Sequence, residues 1–267
     1  MKKMQNRIDI LFKTKKENIL SIFFTAGYPN IMDTLPVINI LNETKVDMLE
    51  IGIPFSDPIA DGPIIQQSSM VALNNGLTLK IMFEQLKTLR AKTELPILLM
   101  GYLNSVMQYG VESFYKSCYE VGIDGVILPD LPLNEFEIFH KQFANKYNVH
   151  VVFVISPETP TERIQLIDEK SSGFIYLVSS NSTTGNFKIK KNQMSQSLKN
   201  VTSLKLKNPI LIGFGIKGAS EFKDACAISN GAIIGSSFVQ LLTESKNFEK
   251  NIPEFISNII NIKQLER

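Results

Sequence analysis

Cysteine, histidine and tryptophan are scarce: the 267 residues include two cysteines, two histidines and no tryptophan. Cys118 and Cys226 lie far apart, each in a segment of amphipathic helical pattern, and neither belongs to a CxxC pair. That excludes a disulfide framework and leads us to expect reduced thiols packed between helices, as in a reducing cytosol. His140 falls in a helical segment and His150 opens an apolar run, so both read as structural or surface residues. No His/Asp cluster has metal-ligand spacing, which disfavours a metal-dependent sugar-phosphate epimerase. Charge of one sign is also lacking. A net charge of +2 implies neither a nucleic-acid footprint nor a polyanionic surface. No stretch approaches the roughly 20 apolar residues of a membrane span. The opening segment MKKMQNRIDILFKTKKEN is charged throughout and lacks the apolar core of a signal peptide, so a cytoplasmic protein is expected. GxSxG elbows and P-loops are missing, and no lysine sits at the C-terminal end of an apolar run, which argues against a Schiff-base aldolase.

What is present is an alternation. Eight short β-branched or apolar runs recur: ILSIFFTA (19–26), VDMLEIGI (46–53), PILLMGY (96–102), GVILPD (125–130), VHVVFVIS (149–156), FIYLVSS (174–180), PILIGFG (209–215) and GAIIGSS (231–237). Near-continuous hydrophobicity suits parallel strands covered on both faces. Helix-period segments lie between them, at about 77–92, 111–121, 134–146, 160–170 and 218–229. Thr159 is expected to cap the helix that begins at Pro160. In the C-terminal segment, Ile252, Phe255, Ile256, Ile259 and Ile260 share one face and should pack on the body of the protein. Eight such units in about 250 residues favour a single (β/α)₈ TIM barrel spanning residues 1–267, with an open doubly wound sheet as the alternative. The longest irregular region, residues 179–193, reads as a functional or mobile loop after the sixth strand.

In a barrel the chemistry sits where strands end and βα loops begin. The second run continues as LEIGIPFSDPIADGP (49–63). Glu50 sits inside an apolar strand, facing either the barrel interior or the strand–helix layer. Desolvation in the interior would raise its pKa toward the range useful for acid–base work; the alternative is a buried salt bridge. Asp57 and Asp61 follow in a loop stiffened by Pro54, Pro58 and Pro63, where each aspartate reads as a rim carboxylate or as a turn former. Asp130, at the end of the fourth run, has the same two readings.

Glycines cluster late in the chain: Gly185 in TTGN, Gly213, Gly215 and Gly218 in GFGIKG, and Gly235 before Ser236. Glycine lets backbone N–H groups approach phosphate oxygens, and a helix starting after Gly235-Ser236 would add free donors and a favourable dipole. Barrels commonly bind phosphate after strands 7 and 8, so a phosphate cradle is expected here; tight turns without a ligand are the alternative. Lys217 lies close by.

The run LEIGIPFSDPIADGP resembles the signature of the tryptophan synthase α subunit family. The likeness extends through FFTAGYP (23–29), LLMGYLN (98–104), GVILPDLP (125–132), GFGI (213–216) and GAIIGSS (231–237). The resemblance implies a TIM-barrel lyase of tryptophan biosynthesis that cleaves indole-3-glycerol phosphate to indole and glyceraldehyde 3-phosphate by a retro-aldol reaction. By the same resemblance Glu50 is the acid–base residue at indole C3 and the glycerol hydroxyl, and Asp61 binds the indole N–H. Phe23, Met100, Tyr102, Ile127, Tyr176 and Phe214 match positions around the indole pocket, and Thr184 matches a lid residue reaching toward Asp61. Gly185, Gly215, Gly235 and Ser236 match phosphate-contacting positions. The family pairs with a β subunit in an α₂β₂ heterotetramer, with Pro54 and Asp57 on the contact loop. Pyridoxal phosphate belongs to that β partner, and the α subunit needs no cofactor. One departure stands out: the family's Gly-Val-Thr-Gly lid run reads Ser182-Thr183-Thr184-Gly185 here, replacing a flexible glycine.

Two other readings stay open at this level. One is a sugar-phosphate isomerase barrel, which would place its acid–base residues on other strands. The other is a subunit that acts mainly as an allosteric activator of its partner.

Overall fold

The computed structural model describes residues 5–178, 191–213 and 215–260. Eight parallel strands close in sequence order: β1 (Ile19–Thr25), β2 (Met48–Gly52), β3 (Ile97–Met100), β4 (Gly125–Ile127), β5 (His150–Ile155), β6 (Ile175–Val178), β7 (Ile210–Gly213) and β8 (Gly231–Ile234), with β8 pairing back onto β1. The open-sheet alternative is thereby removed. Every residue of β1 and β2 is buried, as expected of strands covered by side chains within and helices without.

The register fixes which side chains share the interior. Phe23 pairs with Glu50, Glu50 with Leu98, and Met100 with Ile127. Because side chains alternate along a strand, a cross-strand pair projects to the same face of the sheet.

The helices follow the expected pattern with instructive exceptions. The segment expected at 77–92 starts two residues later, at Leu79, where the Thr78 hydroxyl accepts from the Ile81 amide, and it ends at Leu86 before a 3₁₀ turn at Leu89–Ala91. Thr159 does not cap the next helix; its hydroxyl accepts from the Ser156 amide, and Pro160 becomes the cap of Thr161–Lys170. The helix Phe248–Ile260 buries Ile252, Ile256 and Ile259, with Phe255 and Ile260 packed beside them, as the periodicity predicts.

Among the helices outside the segments read from periodicity, two are instructive. Pro63–Asn74 buries Ile65, Ser68, Ser69 and Ala72, so two serines occupy the face that an apolar stripe would mark. The hydroxyls of Ser68 and Thr25 bond to each other at 2.6 Å, which makes that burial tolerable. Arg7–Thr14, in the charged opening segment, is capped by Asn6, whose side chain accepts from Ile8 N–H and donates to the Asp124 and Asn148 carbonyls. It plugs the bottom of the barrel with the wholly buried Ile8. Arg7 and Arg90 both pair with Asp124 at that end.

Candidate active site

At the C-terminal end of the strands lies a cavity of about 350 Å³. Phe23 and Met100 wall one side, Tyr176 and Ile233 line it from β6 and β8, and Asp61 reaches it from the loop after β2. Its far end is built by Gly215, Lys217, Gly235 and Ser236. Seven residues singled out from the sequence thus converge: Phe23, Asp61, Met100, Tyr176, Gly215, Gly235 and Ser236.

Glu50 faces the barrel interior. Its register partner Phe23 lines the cavity, and its Oε1 accepts a hydrogen bond from the Ser21 hydroxyl at 2.8 Å. The residue is wholly buried, and Oε2 has no hydrogen-bond partner among the described residues. The buried salt bridge that the sequence left open does not form among them. Burial pushes the carboxyl pKa up to about 8, against the smaller opposing effect of the Ser21 bond. Glu50 is therefore neutral at neutral pH and carries a proton.

Asp61 is held differently. Its Oδ2 accepts from the Tyr102 hydroxyl at 3.0 Å, and the same hydroxyl accepts from the Ala60 amide at 3.0 Å. Phe55 stacks on the Tyr102 ring, with centroids 5.1 Å apart. Burial raises the Asp61 pKa to about 6, offset in part by the Tyr102 bond, so this carboxylate is charged at neutral pH. Tyr176 is buried close to both acids; burial first, then the charges of Glu50 and Asp61, push its phenol well above the usual range. Two carboxyl groups in one site thus differ in charge state because their surroundings differ.

The remaining expected residues fall elsewhere. Tyr102 lines a small recess beside the cavity together with Phe23, Asp61 and Met100, where it supports Asp61. Ile127 is wholly buried beside Met100 and does not line the cavity. Gly213 does not line the cavity: a Cβ there would collide with the Tyr176 phenol, so its glycine makes room for that ring. Asp130 accepts twice from the Leu103 amide and anchors the helix Leu103–Tyr109. Asp57 is an exposed loop residue bonded to the Ser56 hydroxyl. Pro54 lines a separate open groove of about 450 Å³ with Phe55, Leu77 and Tyr109. Thr184, Gly185 and Phe214 lie outside the described residues.

The sequence reading overlooked Ile64, Ile65, Ile216, Ile233, Ser237 and Gln240 at the cavity wall. Ile64 and Ile65 belong to the helix with the serine-interrupted stripe. Ser237 and Gln240 lie on the helix Ser236–Glu244, one turn apart, and that helix carries no acidic residue in its first turn. Its N-terminus therefore presents unopposed N–H donors to the cavity, which suits an anion. The histidines stand apart: His140 is buried against the Tyr115 hydroxyl, and His150 bonds Asp9. Among the described residues no three His, Cys, Asp or Glu side chains are grouped to hold a metal ion, and no helix is long and apolar enough to cross a membrane.

Known proteins resemble this chain in sequence and in fold. A family model described as "Tryptophan synthase alpha chain" matches residues 11–266. The tryptophan synthase alpha chain of Flavobacterium psychrophilum is 49% identical over 254 residues, covering 95% of this chain and 99% of its own. The crystal structure of tryptophan synthase subunit alpha from Legionella pneumophila superposes with a TM-score of 0.86 at 30% identity, covering 96% of this chain and 97% of that one. A chain of the tryptophan synthase complex from Pyrococcus furiosus gives 0.83 at 31% identity, covering 93% and 100%. A family model matched over nearly the whole chain, a relative 49% identical over 95% of it, and a closed eight-stranded barrel place this chain in the tryptophan synthase alpha chain family.

Proposed function

We propose that this family member, a lyase that splits indole-3-glycerol phosphate into indole and glyceraldehyde 3-phosphate, does so with Glu50 as proton carrier and Asp61 as counter-charge. The observation that carries this reading is the contrast between the surroundings of the two acids: Glu50 is wholly buried with one oxygen unpartnered among the described residues, which favours its neutral form, and Asp61 lines the cavity and accepts from the Tyr102 hydroxyl, which favours its charged form. Neutral Glu50 delivers its proton to indole C3, which turns the ring into an indolenine-like cation with its charge shared at N1. Asp61 accepts the indole N–H and stabilises that charge. Ionised Glu50 then takes the proton of the glycerol hydroxyl; the carbonyl forms, the C–C bond breaks, and its electron pair restores the indole ring. The proton returns to Glu50, so the cycle closes without another acid or base.

Phe23, Met100 and Ile233 supply apolar walls for a flat bicyclic ring, and Tyr176 adds an aromatic face. The phosphate sits at Gly215, Gly235 and Ser236, on the N-terminus of the helix Ser236–Glu244, with Lys217 adding positive charge. Thr184 and Gly185, which lie outside the described residues, are assigned to the substrate site by the family resemblance alone.

The product indole passes to a pyridoxal-phosphate β subunit in a cytoplasmic α₂β₂ assembly. The loop carrying Pro54 and Asp57, and the apolar groove beside it, form the contact. This chain itself uses no cofactor. The test is indole release by Glu50→Gln and Asp61→Asn, with and without β subunit, alongside binding of a phosphate-bearing indole analogue. Loss of turnover with retained binding supports the assignment. Wild-type protein inactive under both conditions would favour the activator reading instead.

A further inference from the structure

The β1 strand, ILSIFFT, has two hydroxyls inside an apolar run, Ser21 and Thr25, and both are wholly buried. A buried hydroxyl is costly unless bonded. Thr25 bonds Ser68 on the helix Pro63–Asn74. Ser21, an even number of residues before Phe23, shares the inward face with it and donates to Glu50 Oε1 at 2.8 Å.

The direction of that bond matters. Glu50 pairs with Phe23 across β1 and β2, while Ser21 lies two residues back along β1, toward the closed bottom of the barrel. The Glu50 carboxyl therefore leans away from the cavity mouth. Phe23 lines the cavity and Glu50 does not, although the two are register partners on one face. Oε2, which carries the proton of the neutral acid when Oε1 accepts from Ser21, is buried and faces no partner among the described residues. The group is thus held by one oxygen, below the place where substrate binds.

We propose that Ser21 is a positioning residue of the lyase: its hydroxyl keeps the Glu50 carboxyl withdrawn beneath the cavity, and this bond must break before Glu50 reaches the substrate. The inference rests on Glu50 being the proton carrier. One hydrogen bond separates the withdrawn carboxyl from one free to swing upward, so the hold is weak enough to break in each turnover and strong enough to set the resting population. The bond also favours the ionised form, so its loss raises the pH at which Glu50 gives up its proton.

The test uses the full chain, with and without the β subunit, and measures indole release from indole-3-glycerol phosphate at saturating substrate across pH. Ser21→Ala is expected to raise kcat about two- to tenfold, to leave KM unchanged, and to move the alkaline limb of the profile to higher pH. Ser21→Thr, which keeps the donor, is expected to return both quantities to wild-type values. If the alanine variant folds poorly in thermal melts, Ser21→Cys, a near-isostere with a weak donor, replaces it with the same expectation. An unchanged or lowered kcat, or an unmoved alkaline limb, overturns the proposal. Glu50→Gln measured in parallel separates the two claims: if it keeps wild-type turnover, the assignment of Glu50 fails first; if it is inactive while Ser21→Ala behaves as wild type, only the role of Ser21 fails.

Discussion

The Tyr102 hydroxyl sits between the Ala60 amide and the Asp61 carboxylate, accepting from the first and donating to the second, each at 3.0 Å. One phenol from the end of β3 thereby ties down the loop after β2 and holds its acid in the ionised form. Tyr102→Phe removes the donor and keeps the ring stacked on Phe55. Since that bond lowers the Asp61 pKa, its loss lets the value rise from about 6 toward neutrality. The acid limb of kcat/KM for indole-3-glycerol phosphate should then move to higher pH by about one unit. A limb that stays in place would show that Asp61 does not govern it.

Glu50 makes the protein less stable as pH rises. The folded-state pKa, about 8, lies above the ordinary value of 4.5. Between these values the unfolded chain ionises while the folded chain keeps its proton, so the stabilising contribution is complete below pH 4.5 and is lost as pH rises toward 8. Glu50→Gln has no such proton to lose. Urea melts at several pH values should show the wild type losing stability across that window by on the order of a few kcal/mol, and the Gln variant losing clearly less. Parallel pH profiles for the two proteins would contradict the burial of the acid.

Gly213 is glycine because the Tyr176 phenol occupies the space of a side chain. Gly213→Ala should displace that ring, with a stability loss of about 1–3 kcal/mol and weaker binding of an indole analogue. Ser or Val at the same position should be worse in order of size. A fully stable alanine variant with normal analogue affinity would mean the ring relocates freely.

Lys217 is exposed and lines the anion end of the cavity. Lys217→Gln should raise KM for the phosphorylated substrate a few-fold with little change in kcat, and the difference should shrink as salt is added, because an exposed charge is screened. A kcat effect of similar size would place Lys217 in the chemical step.

Much of the architecture was legible along the chain because β1, β2 and β3 are buried on both faces and read as nearly continuous apolar runs. The site's outline was legible for a related reason: Glu50 is an acid inside such a run, and Asp61 lies in a loop stiffened by prolines. The misses share a cause. Ser68 and Ser69 interrupt the buried stripe of Pro63–Asn74, and the Ser68 hydroxyl is tolerated there because Thr25 and the Ile65 carbonyl are in reach, which periodicity cannot reveal. Asp130 resembled a rim carboxylate until its bonds to the Leu103 amide became visible.

The amino-acid order alone determined the eight strand–helix units, the acids after the second strand and the late glycines, since local hydrophobic period and turn chemistry act over a few residues. Closure of the barrel decided everything that depends on residues far apart: that Glu50 meets Ser21 and not a cation, that Tyr102 supports Asp61, and that Gly213 yields its space to Tyr176. Desolvation and hydrogen-bond partners set the charge of each acid, and both are properties of the packed interior that no single segment possesses.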